Sequence, residues 1–242
     1  MPATSCAVAE RPGRLLAAEV RGALAVWGRA GRLVWANLPR LIAVNLLWLT
    51  LAWALLPLGA ATLTASAWLR RAVLEAEAPD AARAPDAPVP PPEPYRTLPT
   101  FLRRLWWPGT LWALLNAAVL GLALSHLAWA QAHPGTLWTA AQGTLLLYLG
   151  WFWLAAQPFW LDALAEEGPP LPALSEAAHI VLAYPAYAHL CALPPLLLAG
   201  LGLHFRTLWL LVGVGALLLF WACVATGTPR PAHARGHDRD LY

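Results

Sequence analysis

Four long stretches of this 242-residue chain contain no Asp, Glu, Lys or Arg, and they constrain the fold more than any other feature. They run over residues 41–69, 105–161, 177–205 and 207–229. A helix needs about 20 mostly apolar residues to cross the hydrocarbon core of a bilayer, so each stretch can cross at least once. Only 12% of all residues are charged, which is too few to cover a soluble domain of this size. The sequence therefore predicts an all-α fold, a polytopic transmembrane helical bundle.

The number of crossings depends on two internal breaks. The stretch 105–161 is too long for one crossing, and Pro134-Gly135 within it is typical of a turn. In the stretch 41–69, Pro57 and Gly59 mark either a kink or a hairpin turn. A hairpin places 15 of the 16 arginines on one side of the membrane, whereas a kink places 7 on one side and 9 on the other. Arginine-rich segments stay in the cytoplasm, so the pattern favours the hairpin.

The predicted bundle has about six spans arranged as three hairpins in the bacterial inner membrane, with both termini in the cytoplasm. The spans cover residues 41–57, 60–74, 105–130, 137–161, 183–203 and 207–226. The second span reaches Arg70 and Arg71 after a short apolar run. Their side chains must therefore reach back to the interface, or this arm is re-entrant.

Polar or proline-rich segments flank and interrupt the transmembrane domain, residues 41–226. Residues 1–40 mix arginines with Leu, Val and Trp, which predicts a cytoplasmic N-terminus with an amphipathic helix on the inner leaflet. Residues 79–99 contain eight prolines, which predicts a mobile cytoplasmic loop, and residues 227–242 are expected to form a disordered cytoplasmic tail. This topology explains the net charge of +3 without a nucleic-acid partner. The expected partner is the lipid bilayer.

Polar residues inside the predicted spans are the candidates for a role beyond packing, because polar groups are costly in hydrocarbon. They are Asn45, Asn116, Gln142, Gln157, His126 and His189. None is an acid or an arginine, which argues against transport coupled to protons or sodium. We expect Asn116 to form a hydrogen bond with Gln142 or Gln157 on the next helix.

No pattern indicates catalysis, a cofactor or a metal site. The cysteines Cys6, Cys191 and Cys223 are far apart and form no CxxC pair. His233 and His237 are four residues apart in the tail, but two ligands without a third make a poor metal site. We therefore expect a protein that is not an enzyme and that holds no cofactor or metal.

Several short motifs resemble the YesL-like family of small bacterial membrane proteins of unknown function. They are Asn45-Leu-Leu-Trp48, Leu56-Pro57, Gly59-Ala-Ala-Thr62, Arg70-Arg71, and the segment from Gln157-Pro158 to Pro185. The chain departs from the family where a Thr-x-Gly turn is shortened to Leu58-Gly59. The resemblance implies an accessory role in carbohydrate transport or sensing, with other membrane proteins or transporter subunits as partners.

A second hypothesis comes from the acidic segment before the fifth span. Permease subunits of ABC importers carry a cytoplasmic Glu-Ala-Ala loop, followed by Gly and Leu-Pro, that docks on an ATPase. This chain has Glu176-Ala-Ala178 and Leu193-Pro194, with residues 171–184 as the docking segment and Glu176 as the docking residue. The required Gly falls at Leu182, and the spacing to Leu-Pro is one residue short.

Overall fold

The computed structural model describes residues 12–53, 58–77, 98–166, 169–205 and 212–228. Within these ranges it contains nine α-helices and no strand, which confirms the all-α class. The helices are α1 (Pro12–Ala36), α2 (Leu38–Trp53), α3 (Leu58–Glu77), α4 (Leu98–Arg104), α5 (Trp106–Ala132), α6 (Leu137–Ala165), α7 (Pro170–Ala183), α8 (Pro185–His204) and α9 (Val214–Thr226). Pro57, nearly all of the predicted loop 79–99 and most of the predicted tail 227–242 lie outside the described residues.

Three helices of the described chain are long and apolar enough to cross a membrane, namely α5, α6 and α8. A fourth candidate is the pair α1 and α2, which passes the same test jointly although the two helices are bent by 83° at their junction. α9 is strongly apolar but has only 13 residues. These helices support a polytopic membrane protein with three or four candidate spans. The arrangement of six spans in three hairpins stays a prediction.

The core lies at one end of the molecule, where α3, α9 and the last third of α6 pack together. Its largest buried side chains include Trp160, Phe159 and Leu161 of α6, Leu63 and Leu69 of α3, and Leu218 and Leu219 of α9. Nearly every residue of α9 from Gly215 to Ala225 is buried. Because other helices surround α9, it can be apolar on every side although it is too short for an ordinary membrane crossing.

The N-terminal helix α1 is amphipathic and packs its apolar stripe on protein. Ala23, Val26 and Ala30 recur at spacings of three and four and are buried, so they lie on one face, and α1 contacts α8 and α9. Leu24 and Trp35 remain exposed, at 55% and 80%. The helix predicted to lie on the inner leaflet therefore uses its main stripe for packing, and only its remaining apolar side chains are free to contact lipid.

The outer part of the α5–α6 hairpin stands clear of the core. No residue between Gly109 and Ala155 is buried, although this segment is dominated by apolar side chains such as Leu120, Leu127 and Leu147. Soluble monomers rarely expose continuous apolar surfaces of this size. The hairpin closes at Gly135, whose φ of +80° suits glycine. Its exposed surface is suited to hydrocarbon.

Two glycines bring α3 and α5 into backbone contact. A Cβ built on Gly59 would lie 1.7 Å from the carbonyl oxygen of Gly109, so no other residue fits there without moving a helix. Gly59 is the second residue of α3, and Gly109 lies in the first turn of α5. From Gly109, α5 continues for about 35 Å to Ala132. The start of α3 therefore meets α5 near the beginning of α5.

We expect Gly59→Ala to destabilise the protein by at least about 2 kcal/mol, because the new methyl group overlaps the α5 backbone. The measurement is the free energy of unfolding in mixed detergent micelles. Gly121→Ala is the matched control, since a Cβ at Gly121 meets nothing within 4 Å, and it should unfold like the wild type. Equal stability of the two variants would contradict the contact.

Candidate functional site

Two tryptophans and two amides join α5 to α6 in a reciprocal arrangement. The indole Nε1 of Trp112 donates to Oε1 of Gln157 at 2.9 Å, and Nε1 of Trp153 donates to Oδ1 of Asn116 at 3.0 Å. Each helix carries its tryptophan and its amide four residues apart, which places both on one face. Because the helices are antiparallel, each tryptophan faces the amide of the other helix.

The amide nitrogens complete this network within their own helices. Nδ2 of Asn116 donates to the carbonyl of Trp112 at 2.9 Å, and Nε2 of Gln157 donates to that of Trp153 at 3.4 Å. The predicted pairing of Asn116 with Gln142 or Gln157 is therefore wrong. The amide oxygen takes the indole donor that lies opposite, because an indole has one donor and no acceptor of its own.

A third indole connects α6 to α8. Nε1 of Trp151 donates to Nδ1 of His189 at 2.9 Å, so Nδ1 acts as the acceptor and the neutral ring carries its proton on Nε2. The two rings lie 6.3 Å apart between centroids and are tilted by 31°. His189 thus orders α8 against α6, in addition to the network between α5 and α6.

In two helices, the N–H of a buried residue in the first turn donates to a side chain from another helix. Asn45 is fully buried, and its Oδ1 accepts from the backbone N–H of Gly215 in the first turn of α9 at 3.1 Å. In the same way, Oε2 of Glu19 on α1 accepts from the N–H of Tyr187 in the first turn of α8 at 3.0 Å. The first N–H groups of a helix have no partner within it, so both acceptors satisfy donors that would otherwise stay unpaired.

Tyr187 fills the space between α1, α8 and α9. Its side chain is 0% exposed, and its hydroxyl donates to the carbonyl of Val224 at 2.8 Å. Gly22 of α1 lies against its ring, because a Cβ there would be 3.6 Å from the ring carbon Cδ2. This side chain accounts for the close packing of three helices at one end of the core.

Charged groups join α3 to the end of α6. Nε of Arg70 donates to Oδ1 of Asp162 at 2.6 Å, and its Nη2 donates to Oε1 of Glu166. Asp162 is 4% exposed and Glu166 is 34% exposed. Arg70, which was expected to reach back to the interface unless its arm is re-entrant, forms ion pairs with two carboxylates at the end of α6.

The remaining predicted residues lie apart from these networks. Gly59 contacts Gly109, whereas Gln142 and His126 line a groove between the outer halves of α5 and α6. Glu176 is exposed on α7. Among the described residues, no group of three His, Cys, Asp or Glu side chains could hold a metal ion, and His233 and His237 lie outside them.

The hydrogen bonds that Trp112, Trp153 and Glu19 form between helices were not predicted from the sequence. The spacing of four between Trp112 and Asn116, repeated by Trp153 and Gln157, was the available signal. It becomes informative only when the two helices are aligned as an antiparallel pair. Glu19 gave no local signal, because it caps a helix that begins at residue 185.

A double-mutant cycle should detect the hydrogen bond between Trp153 and Asn116. Trp153→Phe leaves the Asn116 carbonyl oxygen without this donor, so adding Asn116→Leu should restore part of the lost stability. We expect a coupling of about 0.6–2 kcal/mol in the free energy of unfolding. Asn116→Leu combined with Thr144→Val is the control, since the Thr144 hydroxyl donates to Ala140 of its own helix. Equal coupling in both cycles would contradict the pairing.

The chain matches no protein-family model, no curated protein and no solved structure.

Proposed function

We propose that this chain is a non-enzymatic, multi-pass protein of the bacterial inner membrane that acts through association of its helices with other membrane proteins. The observation that carries the proposal is the contrast along α5 and α6. Near the core their indole and amide side chains are paired across the two helices, whereas no residue from 117 to 150 is buried. The hairpin is hydrogen-bonded near the core and exposes an apolar surface in its outer half. This arrangement suits a protein that presents a helical surface to a partner.

The engaged polar groups support a packing role. Asn45, Asn116 and Gln157 each use the side-chain oxygen to accept a hydrogen bond from another helix. An amide that served a substrate would present these atoms to a cavity. These three therefore act as connections between helices, each worth about 0.6–2 kcal/mol in a membrane protein.

The proposed topology keeps both termini in the cytoplasm. The contact of Gly59 with Gly109 supports the re-entrant form of the second predicted span, because it places the start of α3 beside the start of α5. A re-entrant hairpin returns the chain to the side from which it entered. The arginine distribution, with only Arg206 on the outer side, is therefore the same as for two full crossings.

The biological setting rests on the resemblance to the YesL-like family. We propose an accessory role in carbohydrate transport or sensing, in which transporter subunits are the partners of the exposed hairpin.

The proposal predicts that partner membrane proteins co-purify with the tagged chain from native membranes and depend on the outer face of α5. Gly121→Phe fills a site where a Cβ meets no described residue within 4 Å, so it should block a partner helix and reduce recovery at least fivefold. Leu120→Phe enlarges the exposed neighbouring side chain and is the matched control. The readout is quantitative mass spectrometry of the co-purified proteins. Equal recovery from both variants, or no partner with the wild type, would refute the proposal.

The permease alternative is supported by the position of Glu176. α7 buries Ala173, Ala177, Ile180 and Val181 on one face and contacts α6, whereas Glu176 lies on the exposed face. Under this alternative, a soluble ATPase co-purifies with the chain and is lost on Glu176→Arg, while Ser175→Ala on the same exposed face retains it. If no ATPase co-purifies with the wild type, the permease alternative fails.

A further inference from the structure

A groove of about 450 Å³ lies between the outer halves of α5 and α6. His126 and Trp129 line it from α5, and Gln142 lines it from α6. Nε2 of His126 would lie 3.5 Å from a Cβ built on Gly143, so the imidazole reaches across to α6 beside Gln142. The volume falls within the range of about 300–1,000 Å³ that small-molecule sites occupy.

The hydroxyl of Ser125 in this groove donates to carbonyls of its own helix, whereas the side chains of His126, Trp129 and Gln142 have no hydrogen-bond partner among the described residues. His126 and Trp129 contact each other through their rings, with centroids 6.0 Å apart, and the Gln142 amide is not engaged by any described residue. In water such groups would be hydrated. Near the tip of a hairpin in a membrane, lipid headgroups can supply acceptors for the same N–H groups.

Polarity changes along the groove from the tip of the hairpin inwards. Trp129, His126 and Gln142 lie within about 9 Å of the helix ends at Ala132 and Leu137. Leu122, Leu145 and Leu146 line the part further from the tip. This gradient matches an amphiphile with its polar end at the tip and its chain towards the bilayer centre.

The polar end is rich in donors. The Gln142 amide, the Trp129 indole and the His126 imidazole each supply an N–H group, and no acid lines the groove. Phosphate oxygens accept several hydrogen bonds and carry negative charge, so they complement this set. We propose that the groove binds one phospholipid from the leaflet at the hairpin tip, with its phosphate on His126, Trp129 and Gln142.

This inference depends on the membrane insertion of α5 and α6 but not on any partner protein. Its test uses the purified full-length chain in detergent, with phosphatidylglycerol added and bound lipid counted by native mass spectrometry. We expect one tightly bound phosphatidylglycerol on the wild type. Gln142→Leu combined with His126→Leu should weaken its binding at least tenfold. Both positions lie outside the buried core, and Gln142→Leu alone provides a second, milder variant with an expected loss of at least threefold.

Thr144→Val is the matched control, because its hydroxyl is already bonded within α6 and the residue does not line the groove. It should bind like the wild type. Glucosyl diacylglycerol, which lacks a phosphate, should bind at least tenfold more weakly. Unchanged phosphatidylglycerol binding by the leucine variants would overturn the site, and equal binding of the glycolipid would overturn phosphate recognition. If the wild type proves dimeric and the leucine variants lose the dimer while lipid binding is unchanged, a second copy of the chain is the occupant and the proposal is overturned.

Discussion

The lack of water in a bilayer governs how this chain uses its few polar residues, because a polar group there must find its partner within protein or lipid. Trp112 and Asn116 on α5 meet Gln157 and Trp153 on α6 in one closed set of hydrogen bonds. A shift of one helix by a residue would break both indole bonds together. The set therefore specifies the register of the hairpin at its base, in helices whose apolar surfaces alone would permit several alignments.

The same requirement explains the buried helix ends. In the first turns of α8 and α9, Tyr187 and Gly215 are buried, so solvent cannot satisfy their N–H groups. Glu19 and Asn45 supply the missing acceptors from α1 and α2. Each cap joins the N-terminal part of the chain to its last third, so α1 belongs structurally to the bundle. An anchor that only lay on lipid would have no reason to carry a carboxylate aimed at another helix.

The four long stretches without charged residues were sufficient to predict apolar helices, because few other folds can accommodate such long apolar segments. Tertiary partners were harder to predict. Asn116 was expected to bond with Gln142 or Gln157, because the amides are the more obvious polar groups of the next helix, but its oxygen accepts from the indole of Trp153. The contact of Gly59 with Gly109 joins residues fifty positions apart, and no local pattern specifies which glycines will meet. Arg70 was identified as costly, yet its neutralisation by Asp162 and Glu166 depends on how α3 crosses α6.

The polar side chains of the α5–α6 hairpin form two groups, one on the core side of Asn116 and one on the side of the tip. Towards the core, Trp112, Trp153 and Gln157 are hydrogen-bonded across helices, whereas towards the tip His126 and Gln142 have no such partner among the described residues. A chain that needed only to be stable could have carried leucine at both outer positions at no cost to packing, since neither is buried. Their N–H groups are therefore available to the proposed phospholipid. The division separates the part of the hairpin whose polar groups connect helices from the part that holds the proposed lipid site.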